Sequence, residues 1–211
     1  MKIDIPKSLD LISSLKFCEE LEKAKCSKFF IYNYERMGII EPFGMLLVGS
    51  KIRNLNCDIK HTEINYENKT YAANMGYFHS VRKRYGKHPN NLKGNKNFMP
   101  IKKINIRESY RIAFDKNMEI YPYLEQEIAS KLATVLCRKE KNLKSGLVYC
   151  ITEILRNIYE HSKSEELWYA GQYWPQKDLI EIAILDEGIG ISETLKRNKK
   201  LQIQDQFELS I

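Results

Sequence analysis

Glu153, Asn157, His161, Asp186, Gly188 and Gly190, all in the last third of the chain, are the residues whose types and spacing can do chemistry. The first three follow one another at i, i+4 and i+8. Four residues advance an α-helix by about 6 Å and return to nearly the same face. A carboxylate, a carboxamide and an imidazole therefore form one polar row. Mg²⁺ takes oxygen ligands and keeps several waters, so one protein oxygen beside phosphate oxygens suits it. A carboxylate one turn away can orient or deprotonate one of those waters. Asp186 ends an apolar run, and Gly188 and Gly190 follow it. An acidic acceptor before Gly-x-Gly can hold an amine-bearing ring against bare backbone, since glycine admits φ > 0 and close approach. His161 has a second reading, as a cation set against the dipole of a helix C-terminus.

These groups need two kinds of element to position them. Leu147, Cys150, Ile151, Ile154, Leu155 and Ile158 recur at helical spacing and predict one buried stripe beside the polar row. Ile180, Ile182 and Ile184 alternate with Glu181 and Ala183, which predicts a strand that ends at Asp186. An aromatic strand over 167–174 is expected to pair with it antiparallel through a turn at 175–178. Residues 122–138, with Ile128, Leu132, Val135 and Leu136, predict a second amphipathic helix packed beside the first.

In order, separation and element type, these motifs resemble the nucleotide site of the GHKL ATPases, the class of gyrase B, the Hsp-type chaperone, MutL, histidine kinases and anti-sigma-factor serine kinases. Glu153 and Asn157 match the N box, Glu-x-x-x-Asn; Asp186, Gly188 and Gly190 match the G1 box, Asp-x-Gly-x-Gly. The resemblance implies a Bergerat-type α/β sandwich over residues 111–211, with helices on one face of a mixed sheet. It implies ATP and Mg²⁺ as ligands, with Asn157 holding the metal and His161 counted with the cofactor-binding group. It further implies Glu153 as the water-activating base or a partner of the metal-bound water, and Asp186 as the acceptor for the adenine amine. The family also carries a lid and a second Gly-rich box after G1; residues 192–200 are expected to begin that lid.

Residues 1–110 read as strand, helix, strand, helix, strand, helix, an α/β layer domain. Strands are expected at 2–5, 28–34 and, more weakly, 57–64. Ser8 is expected to cap a helix through Lys23 with Leu11, Ile12, Leu15 and Leu21 inward; a further helix starts at Pro42, and another over 69–79 is expected to end near Gly76. The strand at 29–34 with the helix from Pro42 resembles the STAS module of anti-anti-sigma factors. The phosphorylated hydroxyl of those switches lies at the start of that helix; here the stretch is Ile40-Glu41-Pro42-Phe43-Gly44, without one. The fold class expected for the whole is thus α/β (α+β), with a domain boundary near 109–116.

Composition narrows the classes. Hydrophobic content of 43% with 29% charged residues is that of a globular chain, not a disordered one. No apolar run approaches the roughly 20 residues of a membrane span, and the N-terminus has no signal-peptide pattern. Five scattered cysteines without Cys-x-x-Cys argue for a reducing, cytoplasmic setting and against a disulfide framework or a zinc site. Net charge is +7 for the chain but −4 from Gly146 onward, so the basic excess lies before the candidate site. Residues 82–103, beginning Arg82-Lys83-Arg84-Tyr85-Gly86, contain no acidic residue and predict a basic loop. That loop is either solvated or a contact for nucleic-acid phosphates. Three readings follow: an ATP-binding signalling protein that hydrolyses ATP or phosphorylates a protein partner; a non-catalytic interaction module with an incomplete nucleotide site; and a nucleic-acid binder.

Overall fold

Residues 1–55, 60–86, 94–95, 97–137 and 141–190 are described by the computed structural model. They form a mixed α/β (α+β) chain in two units: Met1–Lys102 with Trp168–Leu185, and Lys103–Leu167 with the described residues from Asp186 onward.

The first unit opens with β1 (Lys2–Asp4), β2 (Ser8–Leu9), α1 (Leu11–Lys23), β3 (Phe29–Asn33), β4 (Ile39–Ile40), α2 (Pro42–Arg53) and β5 (Lys60–Ile64). β1, β3 and β5 pair in parallel, with Ile3 opposite Tyr32 and Tyr32 opposite Glu63. Parallel neighbours need a crossover, and α1 and α2 supply the two. β2 and β4 form a short second parallel pair. Phe30, Tyr32, Phe17, Leu21 and Met45 are buried between these layers.

The N-cap of α1 is Asp10, whose Oδ1 accepts from Ser13 N at 2.8 Å, while Ser8 belongs to β2. Leu21 is buried as expected, but Leu11 and Ile12 are exposed, and Ser14 and Phe17 face inward in their place. α2 starts as expected, with proline in its first turn. Gly44 lets it approach β2; a Cβ there would lie 2.0 Å from the Leu9 carbonyl oxygen. The 69–79 helix is two pieces, α3 (Thr70–Met75) and α4 (Tyr77–Ser80), broken at Gly76 with φ 80°.

The expected loop 82–103 is partly ordered structure. Tyr85 packs against Tyr66 and Phe78 at ring separations of 5.0 and 5.3 Å. Lys83 pairs with Glu63 at 3.7 Å and lies over the Tyr66 ring. From Phe98 the chain is already β6 (Phe98–Asn105); residues 87–93 and 96 lie outside the described residues. β6 joins β7 (Glu166–Trp174) and β8 (Leu179–Asp186) in one sheet with β7 central. The β7–β8 hairpin belongs with the first unit for visible reasons. Arg53 stacks 3.9 Å from the Trp168 ring centroid, Tyr71 Oη donates to Gln172 at 2.6 Å, and Phe43 N donates to Glu181 at 2.7 Å. A single division near residue 110 therefore differs from the division the contacts make.

The second unit is helical: α5 (Ile106–Asp115), α6 (Ile120–Leu124), a π turn at Glu125–Ala129, α7 (Ser130–Leu136), α8 (Lys141–Asn157) and a second π turn at Ile158–Ser162. The expected boundary at 109–116 falls inside α5, which Asn105 caps through Glu108 N at 2.9 Å. The expected helix over 122–138 begins at Ile120 and is widened by the first π turn. It does pack against α8, through buried Leu124, Ile128, Leu132 and Leu136 on one side and Ile151 and Leu155 on the other. Among the described residues no helix is long and apolar enough to cross a membrane.

Candidate functional site

α8 runs without interruption through Glu153 and Asn157, so these two side chains lie one turn apart on one face. Ile151, Leu155 and Ile158 hold the helix down by its buried face. Cys150 and Ile154, expected in the buried stripe, are exposed. The reason is width: the neighbouring helix covers a narrower arc of α8 than six apolar positions span. The exposed apolar pair therefore borders the polar row.

Glu153 is half-buried and lines a groove of about 610 Å³ with Glu125, Ser130, Lys144, Tyr149 and Thr152. Arg156 is near enough to feel its charge. Asn157 is exposed, and its carboxamide makes no hydrogen bond among the described residues. His161 falls beyond the α-helical register, in the π turn, so the row of three ends at Asn157. Its Nε2 lies 3.5 Å from Glu160 Oε2 at the surface.

Asp186 and the glycines come to the same end of α8. Ile189 N donates to the Ser162 carbonyl at 2.7 Å. Gly188 makes that approach feasible: a Cβ would stand 2.0 Å from the Ser162 oxygen and 2.9 Å from Ser164 N. The expectation of positive φ is corrected here. Among the described glycines only Gly76 and Gly86 have it, so Gly188 serves by its lack of a side chain. Asp186 Oδ1 accepts from Gly188 N at 3.0 Å, which shapes the turn. A carboxylate has about four acceptor sites, so one such bond leaves capacity for a ligand. Among the described residues nothing lies within 4 Å of where a Cβ of Gly190 would be.

The π turn that presents the Ser162 carbonyl is itself braced. Glu160 Oε1 accepts from Tyr121 Oη at 2.6 Å and from Arg156 Nε at 2.8 Å, and Arg156 sits 5.0 Å over the Tyr121 ring. Tyr121, Arg156 and then His161 hold the Glu160 carboxyl below its ordinary value. The Arg156–Glu160 spacing of four was visible in the sequence; the part played by Tyr121 and by a backbone carbonyl was not. Among the described residues no cluster of three or more His, Cys, Asp or Glu could hold a metal. A cation here would rest on Asn157 and on oxygens of its own ligand. No family model, no curated protein and no solved structure matches the chain.

Proposed function

We propose that this chain is an ATP-binding regulatory protein of GHKL type, with Mg-ATP gripped between Asn157 on α8 and the turn Asp186–Gly190. The observation that carries the reading is the seating of that turn on the end of α8, through Ile189 N on the Ser162 carbonyl and a glycine that nothing larger can replace. It seats the turn just past the end of the helix that carries Glu153 and Asn157. The groups present fit the ligand: an exposed carboxamide without a hydrogen bond among the described residues for a hard cation, and a carboxylate with spare acceptor capacity.

Bound Mg-ATP supplies a transferable phosphoryl group whose charge the metal offsets. The chain's own residues do the rest. Asn157 holds the cation, Asp186 orients the base through its exocyclic amine, and Glu153, one turn from Asn157, takes a proton from water or from a partner's hydroxyl. His161 keeps its place beside Glu160 and acts on charge near the site. The first unit, STAS-like in its strand and helix order, is the partner-facing module. It lacks a hydroxyl at the start of α2, so its regulation does not run through phosphorylation there. Lys83 is engaged by Glu63 and Tyr85 by its aromatic neighbours, which disfavours nucleic acid as the ligand of the basic segment.

Calorimetric titration of Mg-ATP into the chain tests the reading. We expect saturable binding to one site, weakened about 10- to 100-fold in Asn157→Ala and in Asp186→Ala, the range for a hydrogen bond to a charged group. Absence of binding at millimolar nucleotide overturns it. Turnover lost in Glu153→Ala with binding kept assigns the base, and binding without turnover in the native chain leaves a nucleotide sensor.

A further inference from the structure

Within the second unit, α6, the first π turn and α7 run as one helical column beside α8. At the π turn the backbone N–H of Ser130 donates to the Glu125 carbonyl, five residues back. In an α-helix two such positions stand about 140° apart. The wider turn brings them to one side, and turns of this kind recur at functional sites. Glu125 and Ser130 thus line one wall of the groove of about 610 Å³ whose α8 wall carries Lys144, Tyr149, Thr152 and Glu153. The column runs antiparallel to α8, since Tyr121 meets Arg156 and Glu160 at one end and Cys137 feels the charge of Lys144 at the other. Glu125, one turn on from Tyr121, therefore shares an end of the groove with Glu153.

The charges in this groove differ from others in the unit. Lys116 and Lys131 pair with Glu127, Arg111 with Glu108, Arg107 with Glu165 and Arg156 with Glu160. Glu125, Lys144 and Glu153 make no ion pair and no side-chain hydrogen bond among the described residues. Lys144 and Glu153 are half-buried, and a charge drawn partly out of water is costly without a partner. The two stand about 13.5 Å apart along α8, the length of about four residues of extended chain. The groove thus has an acidic end and a cationic end, with the exposed Tyr149 ring between them. A triphosphate is a poor occupant, because two carboxylates outweigh one ammonium. A ligand with a cation and an anion about four extended residues apart matches.

We propose that this groove binds a short extended segment of a protein partner, with a basic side chain at Glu125 and Glu153 and an acidic one at Lys144. That gives the second unit a partner contact of its own. Use of the segment as phosphate acceptor rests on the nucleotide reading above, since Glu153 serves both; its docking does not. Fluorescence anisotropy on the full chain without nucleotide tests the docking with three labelled hexapeptides. One carries arginine and glutamate four residues apart around a serine, one has arginine at both places, and one has glutamate at both. We expect the mixed peptide to bind saturably below about 1 mM. Its affinity should fall about three- to tenfold in Glu125→Gln and in Lys144→Met, between the values of an exposed ion pair and of a hydrogen bond to a charged group. In Lys144→Glu the preference should pass to the all-basic peptide, a switch that unfolding cannot produce. Should one neutral variant not fold, the other decides by the same criterion. The proposal is overturned if native protein binds no peptide at millimolar concentration or prefers a peptide of one charge. Unchanged affinity in the neutral variants overturns it too. Peptide binding by a chain that binds no Mg-ATP removes the acceptor role and leaves the docking site; Mg-ATP binding without peptide binding removes the docking site and leaves the nucleotide reading.

Discussion

A methyl group at position 188 would overlap the Ser162 carbonyl, whereas one at position 190 would meet nothing within 4 Å among the described residues. Forcing atoms into a filled site costs about 1–3 kcal/mol, while a surface change away from such contacts stays within about 0.5 kcal/mol. Gly188→Ala should therefore lower the urea midpoint and impair nucleotide binding together, and Gly190→Ala should leave the midpoint unchanged. Equal midpoints for the two would remove the close approach from the account. Glu181 gives a second test at this scale. Burial holds its carboxyl above the ordinary range, with Phe43 N opposing and Glu41 adding to the rise. The folded chain then keeps a proton that the unfolded chain releases. The associated stability is present below the unfolded value, about 4.3, and is lost as pH rises through the raised folded value. The thermal midpoint of native protein should carry this decline, and Glu181→Gln should flatten it; an identical pH profile in both would contradict the assignment.

At the scale of elements, caps and turns decide where the sequence could be read and where it could not. The strands β3 and β8 and the helix α2 were legible because β-branched runs and a first-turn proline are local signals. The start of α1 was misplaced because Ser8 and Asp10 are both good caps, and the choice between them depends on β2 pairing with β4, which is not local. Asp10→Ala should cost about 1 kcal/mol, the usual value of an N-cap, read in the same denaturation assay. Ser8→Ala should cost less. The reverse order would restore the sequence-based start. The two π turns left no sequence signal, since they arise from packing among α6, α7 and α8. One of them shifts His161 off the row that i+8 spacing alone implied. Periodicity places Cys150 and Ile154 in the core, yet both are exposed, because periodicity marks apolar positions and cannot say how wide an arc a neighbour will cover.

Across the whole molecule, the hairpin 168–185 was legible as a hairpin but not as a part of the first unit. Its ties to that unit are single side chains, Trp168 on Arg53, Gln172 with Tyr71 and Glu181 on Phe43, and such pairs have no spacing rule to reveal them. A chain ended at residue 110 would lose all three partners. It should unfold at a clearly lower urea concentration than residues 1–102 do in the full chain, followed by exchange of their amides. Equal resistance would mean that the hairpin contributes nothing to that unit. The helix that carries Glu153 and Asn157 and the strand that ends at Asp186 were legible as elements. The seating of the 186–190 turn on the Ser162 carbonyl was not, because a backbone acceptor carries no residue signature.

Mn²⁺ in place of Mg²⁺ offers the most direct measurement of the central claim, that one nucleotide is held by both the α8 row and the turn. In the NMR spectrum of the full chain, Mn-ATP should broaden the side-chain amide of Asn157 together with the backbone amides of residues 186–190, and Asn157→Ala should relieve the broadening at the turn at the same nucleotide concentration. Broadening confined to other surfaces, such as residues 82–86, or to only one of the two motifs, would contradict a shared site.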